Sequence, residues 1–145
     1  MEITLTRVII AVFIFKGIHG LQYSDCGSSK AVITSADVED CPGNVCKLKK
    51  GTNATLHLSF KTEDVVEDLS VRLYGILMNH TMPYPGHYQK DGCQSDGVSC
   101  PVQPDTIQNY TLIIPVRKNF PKVPSVTIKL EINDIICIHI PGQVA

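Results

Sequence analysis

The stretch that decides the fold is Val71–Pro101, VRLYGILMNHTMPYPGHYQKDGCQSDGVSCP. It opens as an alternating strand and continues through Gly75, a pattern typical of a strand that bends or approaches another backbone closely. Two prolines then fix the backbone around Tyr84, and two cysteines enclose a turn-like segment. We interpret the stretch as a strand, a stiff aromatic loop and a disulfide-closed loop. The aromatic loop is either the mouth of an apolar pocket or a surface loop that covers the core.

Alternation of apolar and polar residues predicts further strands on both sides of this stretch. The clearest is Thr52–Phe60, where Leu56, Leu58 and Phe60 share one face. The other predicted strands are Ala31–Val38, Leu69–Met78, Tyr110–Val116, Ser125–Asn133 and Ile135–Ile140. Six to seven strands with turn signals between them, and no 3.6-residue period, indicate an all-β two-sheet sandwich, with a barrel as the alternative.

The N-terminal residues have the features of a secretory signal peptide. Arg7 precedes the apolar run Val8–Phe15, which is too short to span a bilayer, and Gly20 offers a small residue for cleavage. We therefore expect a signal peptide at residues 1–20 and one mature domain at residues 21–145. This predicts a secreted, extracellular protein, with the lysosomal lumen as an alternative.

The charge of the chain argues against nucleic acid as a partner. Removing the predicted signal peptide leaves 11 basic and 13 acidic residues, a net charge of −2. The one basic cluster consists of Lys47, Lys49 and Lys50, whereas nucleic-acid binding needs an extended positive face.

Six cysteines in a secreted sequence predict three disulfides, for which fifteen pairings exist. Spacing favours the pairs Cys41–Cys46 and Cys93–Cys100, which leaves Cys26 with Cys137. Zinc fits this sequence poorly because no CxxC or HxxxH spacing occurs. We expect neither a metal nor a cofactor.

Three N-glycosylation sequons begin at Asn53, Asn79 and Asn109. Strand parity places Asn53 and Asn109 on outward faces, and Asn79 follows a strand. All three are therefore predicted glycosylation sites.

The sequence offers no recognisable catalytic centre. The histidines of the mature domain are scattered, and neither a nucleophile elbow nor a phosphate-binding glycine loop is present. We therefore expect no catalytic residues and no enzymatic activity.

Short motifs spread over the mature chain resemble those of the ML (lipid-recognition) domain family, to which the small secreted Niemann-Pick type C proteins belong. The motifs are Asp25-Cys26-Gly27-Ser28, Cys41-Pro42…Cys46-x-Leu48-x-Lys50-Gly51, Gly75-Ile76-Leu77-Met78, Pro83-Tyr84-Pro85, Asp91-Gly92-Cys93…Cys100-Pro101, Pro115-Val116…Phe120-Pro121 and Cys137-x-x-Ile140-Pro141. The resemblance implies an immunoglobulin-like sandwich with an apolar cavity between its sheets, and the same three disulfides.

The resemblance also implies where a lipid binds. It assigns the pocket mouth to Tyr84, Val116 and Phe120, with Met82 and Pro83 beside them. The predicted lining consists of Val71, Leu73, Leu112, Ile114, Ile128, Leu130, Ile132 and Ile138. Sterol-carrying members have tryptophan where this chain has Leu130 and Ile138, and phenylalanine is common where it has Tyr84.

The function implied is that of a monomeric secreted or luminal carrier that holds a fatty acid or a sterol. Its partners would be a donor or acceptor membrane, or a receptor. One alternative is an innate-immune or co-receptor module that recognises microbial lipids. A third interpretation is a purely structural or adhesive sandwich.

Overall fold

The computed structural model describes residues 22–41 and 43–145, so the predicted signal peptide lies outside the described residues. Within them the chain forms nine strands and one turn of 3₁₀ helix at Gly92–Gln94. The strands are β1 Ser24–Asp25, β2 Ala31–Val38, β3 Cys46–Leu48, β4 Thr52–Thr62, β5 Val71–Leu77, β6 His80–Pro83, β7 Gln108–Val116, β8 Val123–Ile132 and β9 Ile136–Val144. The described part of the chain contains no helix long and apolar enough to cross a membrane.

The strands form two sheets, which confirms the predicted sandwich. The larger sheet has the order β1-β9-β8-β5-β6, with the short β3 paired in parallel to β9. The smaller sheet has the antiparallel order β2-β4-β7. Buried side chains of both sheets belong to one hydrophobic core.

All six predicted strands are present, and the three additional strands explain why the prediction of six to seven was too low. β1 and β3 have two and three residues, too few for alternation to be visible. Both lie beside β9, which is distant in sequence, so their pairing depends on the tertiary fold.

The third additional strand, β6, forms a hairpin with β5 inside the stretch that we interpreted as a loop. Met78 and Asn79, at the turn, have φ angles of 49° and 67°, and Leu77 pairs with His80. A two-residue turn with positive φ at both positions matches the twist of a hairpin. Pro83 ends β6 at the edge of the sheet, where a missing backbone N–H is tolerated.

Gly75 does not mark the close approach that the sequence suggested. A Cβ atom there would meet a methyl group of Val126 at 3.7 Å, an ordinary contact. The residue that requires glycine is Gly97, where a Cβ atom would collide with the carbonyl oxygen of Asn109. The close approach therefore lies in the loop between the cysteines.

Apolar residues on the inner face of the larger sheet form rows across neighbouring strands. One row joins Leu73, Leu130 and Ile138, which are directly opposite one another. The smaller sheet contributes a facing row of Val38, Leu56 and Leu112. Most of these side chains are fully buried.

The three predicted disulfides, Cys26–Cys137, Cys41–Cys46 and Cys93–Cys100, are all confirmed. They lie near three of the four corners of the sandwich, and of the three Cys41–Cys46 is the one that links the two sheets. Cys26 is held against β9 where the chain leaves for β2, and Cys41–Cys46 joins the end of β2 to β3. Cys93–Cys100 closes the loop between the Leu69 backbone and the β7 edge, which it meets at Gly97.

Candidate functional site

The fourth corner of the sandwich is closed without a disulfide. It brings Tyr84, which follows β6, against Pro115, Val116 and the connection from β7 to β8 that carries Phe120. We refer to these four residues as the Tyr84 corner. Three of them are the residues predicted to form the mouth, so the structure brings the sequence-predicted mouth together in space.

Tyr84 links the two sheets directly. Its backbone N–H donates to the carbonyl oxygen of Leu73 in the larger sheet, at 2.9 Å. Its hydroxyl donates to the carbonyl oxygen of Pro115 in the smaller sheet. Tyr84 therefore bridges the two sheets, through its backbone on one side and its hydroxyl on the other.

Aromatic rings fill the rest of the corner. The Tyr84 ring meets the Phe120 ring edge-on, with centroids 5.8 Å apart, and the Tyr88 ring at 6.2 Å. A turn holds Phe120 in place, since its backbone N–H donates to the carbonyl oxygen of Arg117. Such pairs contribute about 0.5–1.5 kcal/mol beyond their buried area, so the corner is held by weak contacts that can separate.

Tyr84 is uncharged in the physiological range. Burial raises the pKa of its hydroxyl to about 12, and the nearby positive charge of Arg117 offsets part of that rise. The hydroxyl therefore keeps its proton and remains a hydrogen-bond donor at neutral pH.

Sequence analysis missed two residues of this region. Tyr88 occupies a gap in the pairing along the β5 edge, where its hydroxyl accepts from the backbone N–H of Leu73 at 3.0 Å. Pro115 acts through its carbonyl oxygen, which no side-chain pattern reveals. For Tyr88, the available sequence signal was a second tyrosine four residues after Tyr84.

The predicted lining residues lie behind this corner on the facing inner surfaces. Val71, Leu73, Leu130, Ile132 and Ile138 belong to the larger sheet and are 0–1% exposed. Leu112 and Ile114 face them from β7, and the partly buried Ile128 packs against the same core.

These inner side chains leave almost no surface that water could reach, so they fill the space between the sheets. A lipid would require the sheets to separate or the side chains to rearrange. The cavity implied by the resemblance therefore stays a prediction about the lipid-bound protein.

Met82 and Pro83 lie at the edge of the larger sheet and not inside the sandwich. Met82 is opposite Gly75 and 45% exposed. Pro83 is opposite Tyr74, on the face that points away from the smaller sheet. It borders a surface depression of about 270 Å³ that also touches Val71 and Leu73. Neither side chain reaches the core, because β6 is the edge strand of the larger sheet and extends beyond the smaller sheet.

Two histidines of the described residues lie beside other groups that could bind a metal or exchange a proton. His139 lies beside Cys26 and Cys137, but those sulfur atoms are bonded to each other and supply no thiolate. His57 contacts Glu39 at 2.7 Å and Thr111 at 3.3 Å, on the exposed outer surface of the smaller sheet. A cleft of about 610 Å³ places Glu39 beside Asp40, Lys47 and Lys49, and the two cysteines that line it are bonded to each other.

The three sequon asparagines are exposed. Asn53 pairs with Pro115 in the ladder, and Asn79 lies in the β5–β6 turn. Asn109 accepts a hydrogen bond from Ser59 through its side-chain oxygen, which leaves its amide nitrogen available.

Comparison with known proteins identifies the family. The sequence profile of the ML domain matches residues 20–143. The chain belongs to the ML domain family. The match spans the whole described sandwich, so every corner described above lies within the family domain.

Individual relatives agree with this assignment. The chain is 34% identical to the "Ecdysteroid-regulated 16 kDa protein" of Manduca sexta, over 84% of this chain and 87% of that protein. It is 31% identical to "NPC intracellular cholesterol transporter 2" of Mus musculus, over 96% of this chain and 95% of that protein.

A solved structure supports the fold. A Niemann-Pick type C2 protein from Japanese carpenter ant superposes with a TM-score of 0.77 at 21% identity, covering 86% of this chain and 99% of that one. The similarity confirms the two-sheet, immunoglobulin-like architecture.

Proposed function

We propose that this protein binds a fatty acid or a sterol between its two sheets and transfers it to a membrane or a partner. The lipid enters and leaves at the Tyr84 corner. No bond is made or broken in this process, because binding and release are the whole function. The cholesterol transporter named among the relatives supports a lipid as the cargo.

The observation that carries the proposal is the unequal closure of the sandwich. Apolar rows run from the core to one corner, where a hydrogen bond and ring contacts join side chains of the two sheets. A disulfide lies at each of the other three corners. The Tyr84 corner has the β7–β8 chain connection but no disulfide, so we expect the sheets to separate there most easily.

The energetics are adequate for such a carrier. Burying a methylene group contributes about 0.8 kcal/mol, so a sixteen-carbon chain gains roughly 12 kcal/mol before the costs of association. The cost of separating weak contacts at the corner is about 1–3 kcal/mol. Apolar walls alone can therefore support useful affinity.

The inner wall favours a slender lipid over a sterol. Leu130 and Ile138 are directly opposite each other and both 0% exposed. They are the two positions at which the sterol-carrying relatives have tryptophan. With two aliphatic side chains there, the wall lacks the flat aromatic surfaces that pack against a ring system, so we rank a long-chain fatty acid first.

The remaining features concern where the protein acts. We propose that residues 1–20 are removed as a signal peptide and that the mature domain is secreted as a monomer or reaches the lysosomal lumen. Exposure of Asn53, Asn79 and Asn109 supports their glycosylation. Mass spectrometry of the secreted protein, before and after deglycosylation, tests the removal of residues 1–20 and the glycosylation of the three asparagines.

The proposal is tested by titrating delipidated protein with a fluorescent fatty acid and a fluorescent sterol. We expect one lipid per chain and tighter binding of the fatty acid. Phe120→Asp and Tyr84→Asp should each weaken binding at least tenfold, because they place a charge on the apolar passage.

The matched control is Val32→Asp, which puts the same charge on an exposed apolar residue of β2, away from the corner. It should bind lipid like the wild type. Equal binding by all four proteins would refute the Tyr84 corner as the passage, and no binding by the wild type would refute the function.

A further inference from the structure

One buried polar atom in the core has no partner among the described residues. It is the hydroxyl oxygen of Tyr110, whose residue is only 2% exposed. Native proteins pair nearly all buried polar atoms, and a buried unpaired hydroxyl destabilises the fold. A phenylalanine would fill the same space without that cost, so packing alone does not explain why a tyrosine is present.

The Tyr110 hydroxyl faces the space between the sheets. Tyr110 lies on β7 between the exposed residues Asn109 and Thr111, and it is opposite Leu58, which is buried on the inner face of β4. Burial raises the pKa of Tyr110, and the neighbouring Tyr88 hydroxyl adds to the rise. The phenol therefore stays neutral and able to donate a hydrogen bond.

A buried water molecule would be poorly held at this place. Buried waters typically make two to four hydrogen bonds to polar groups. Here the second polar group is the Tyr88 hydroxyl, which already accepts from the Leu73 backbone N–H. An oxygen atom attached to a lipid between the sheets would give the Tyr110 hydroxyl the partner that it lacks among the described residues.

We propose that Tyr110 is an internal anchor that selects lipids carrying a second, uncharged oxygen, a hydroxyl or a ketone, far from the polar headgroup. This inference rests on the proposed function and specifies its ligand class. An ionised carboxylate is excluded from the site because burying its charge among apolar residues is costly.

The position along β7 sets where that oxygen lies. Tyr110 is five residues before Pro115, so its Cα lies about 17 Å from the Tyr84 corner along the strand. The Tyr110 side chain extends from there towards Tyr88, whose ring contacts Tyr84, so a lipid whose headgroup stays at the corner would meet the hydroxyl between the headgroup and this depth.

The test compares stearic acid with a series of hydroxystearic acids in which the hydroxyl moves along the chain. For the wild type and for Tyr110→Phe, we divide the affinity for each hydroxystearic acid by the affinity for stearic acid. At the best-placed hydroxyl, we expect this ratio to be about 2- to 12-fold larger in the wild type, the effect of one neutral hydrogen bond.

Tyr74→Phe is the matched control, because it removes a hydroxyl from the outer face of β5, where Lys129 lies over the ring. It should keep the wild-type ratio. The unfolding midpoint of lipid-free Tyr110→Phe should be unchanged or higher, since the variant removes an unpaired buried group.

A wild type that binds stearic acid, with the same ratio in Tyr110→Phe, would overturn the anchor and leave the carrier function intact. A lower unfolding midpoint with an unchanged ratio would overturn it as well, since it would show a purely structural role. Failure of the wild type to bind any of these acids would overturn the anchor, and failure to bind the fluorescent sterol as well would overturn the carrier function.

Discussion

The corner at Cys26–Cys137 and the Tyr84 corner lie diagonally across the same sandwich and are closed in different ways. At the first, the disulfide is reinforced by backbone hydrogen bonds from Cys26 and Ser29 to β9 and its preceding turn. At the second, a tyrosine hydroxyl and ring edges hold the sheets. The difference shows that the fold places its disulfides away from the Tyr84 corner, which we propose as the lipid passage.

Removing the disulfide at the first corner should have the largest effect. Cys26→Ala with Cys137→Ala should lower the free energy of unfolding by about 5 kcal/mol, because the bridge closes a long loop. Cys93→Ala with Cys100→Ala, which opens a short loop, should cost about 2.5 kcal/mol in the same chain-entropy relation. Urea denaturation of both variants measures the difference, and equal costs would contradict the role assigned to the long bridge.

The core between the two corners is tested next. Leu130 is 0% exposed and lies in the middle of the inner row, so Leu130→Ala should lower the free energy of unfolding by about 2–5 kcal/mol. Leu130→Met keeps the volume and should cost less than about 1.5 kcal/mol. If the alanine variant were as stable as the methionine variant, the inner face would be looser than the structure indicates.

A smaller effect is expected at the Tyr84 corner. Tyr84→Phe keeps the ring and removes the hydrogen bond to Pro115, which should lower the free energy of unfolding by about 0.5–1.5 kcal/mol. Because we propose that the lipid passes this bond, we expect uptake and release, measured by stopped-flow fluorescence, both to become faster with little change in affinity. Unchanged rates would place the passage elsewhere.

The pH dependence gives the most subtle comparison. Burial raises the pKa of Tyr84 to about 12 in the folded protein, above the value of about 10 for an exposed tyrosine. The folded state thus holds this proton more tightly than the unfolded state. The hydroxyl therefore makes its full contribution to the free energy of unfolding below about pH 10, and this contribution declines between about pH 10 and 12. The free energy of unfolding should fall less steeply over this window in Tyr84→Phe than in the wild type. If the free energies of unfolding of the two proteins fell in parallel with pH, the Tyr84 hydroxyl would be exposed to solvent in the folded state.

Much of the fold could be predicted because its signals are local. Alternation along Thr52–Phe60 identified the inward face of β4, and cysteine spacing identified all three disulfides. The short strands β1 and β3 could not be predicted, since both pair with residues far away in sequence. β6 was not predicted because Pro83 and Pro85 are typical of a loop, and the sequence alone does not show that an edge strand ends at Pro83.

The candidate site divides in the same way. The motif around Tyr84 and the Pro-Val segment before Phe120 predicted residues that the structure brings together at the Tyr84 corner, and strand parity identified the inner-face residues. Parity could not show that Pro83 faces outward, that the Pro115 carbonyl receives the Tyr84 hydroxyl, or that Tyr110 is buried without a partner.

The sequence by itself determined which residues face inward, which cysteines pair and which family the motifs resemble, because each depends on spacing along the chain. Only the tertiary structure decided which corner lacks a disulfide and which buried hydroxyl has no partner among the described residues. Those properties depend on the order of strands within each sheet and on how the sheets face each other. Contacts between residues distant in sequence fix both, and a local pattern does not encode them.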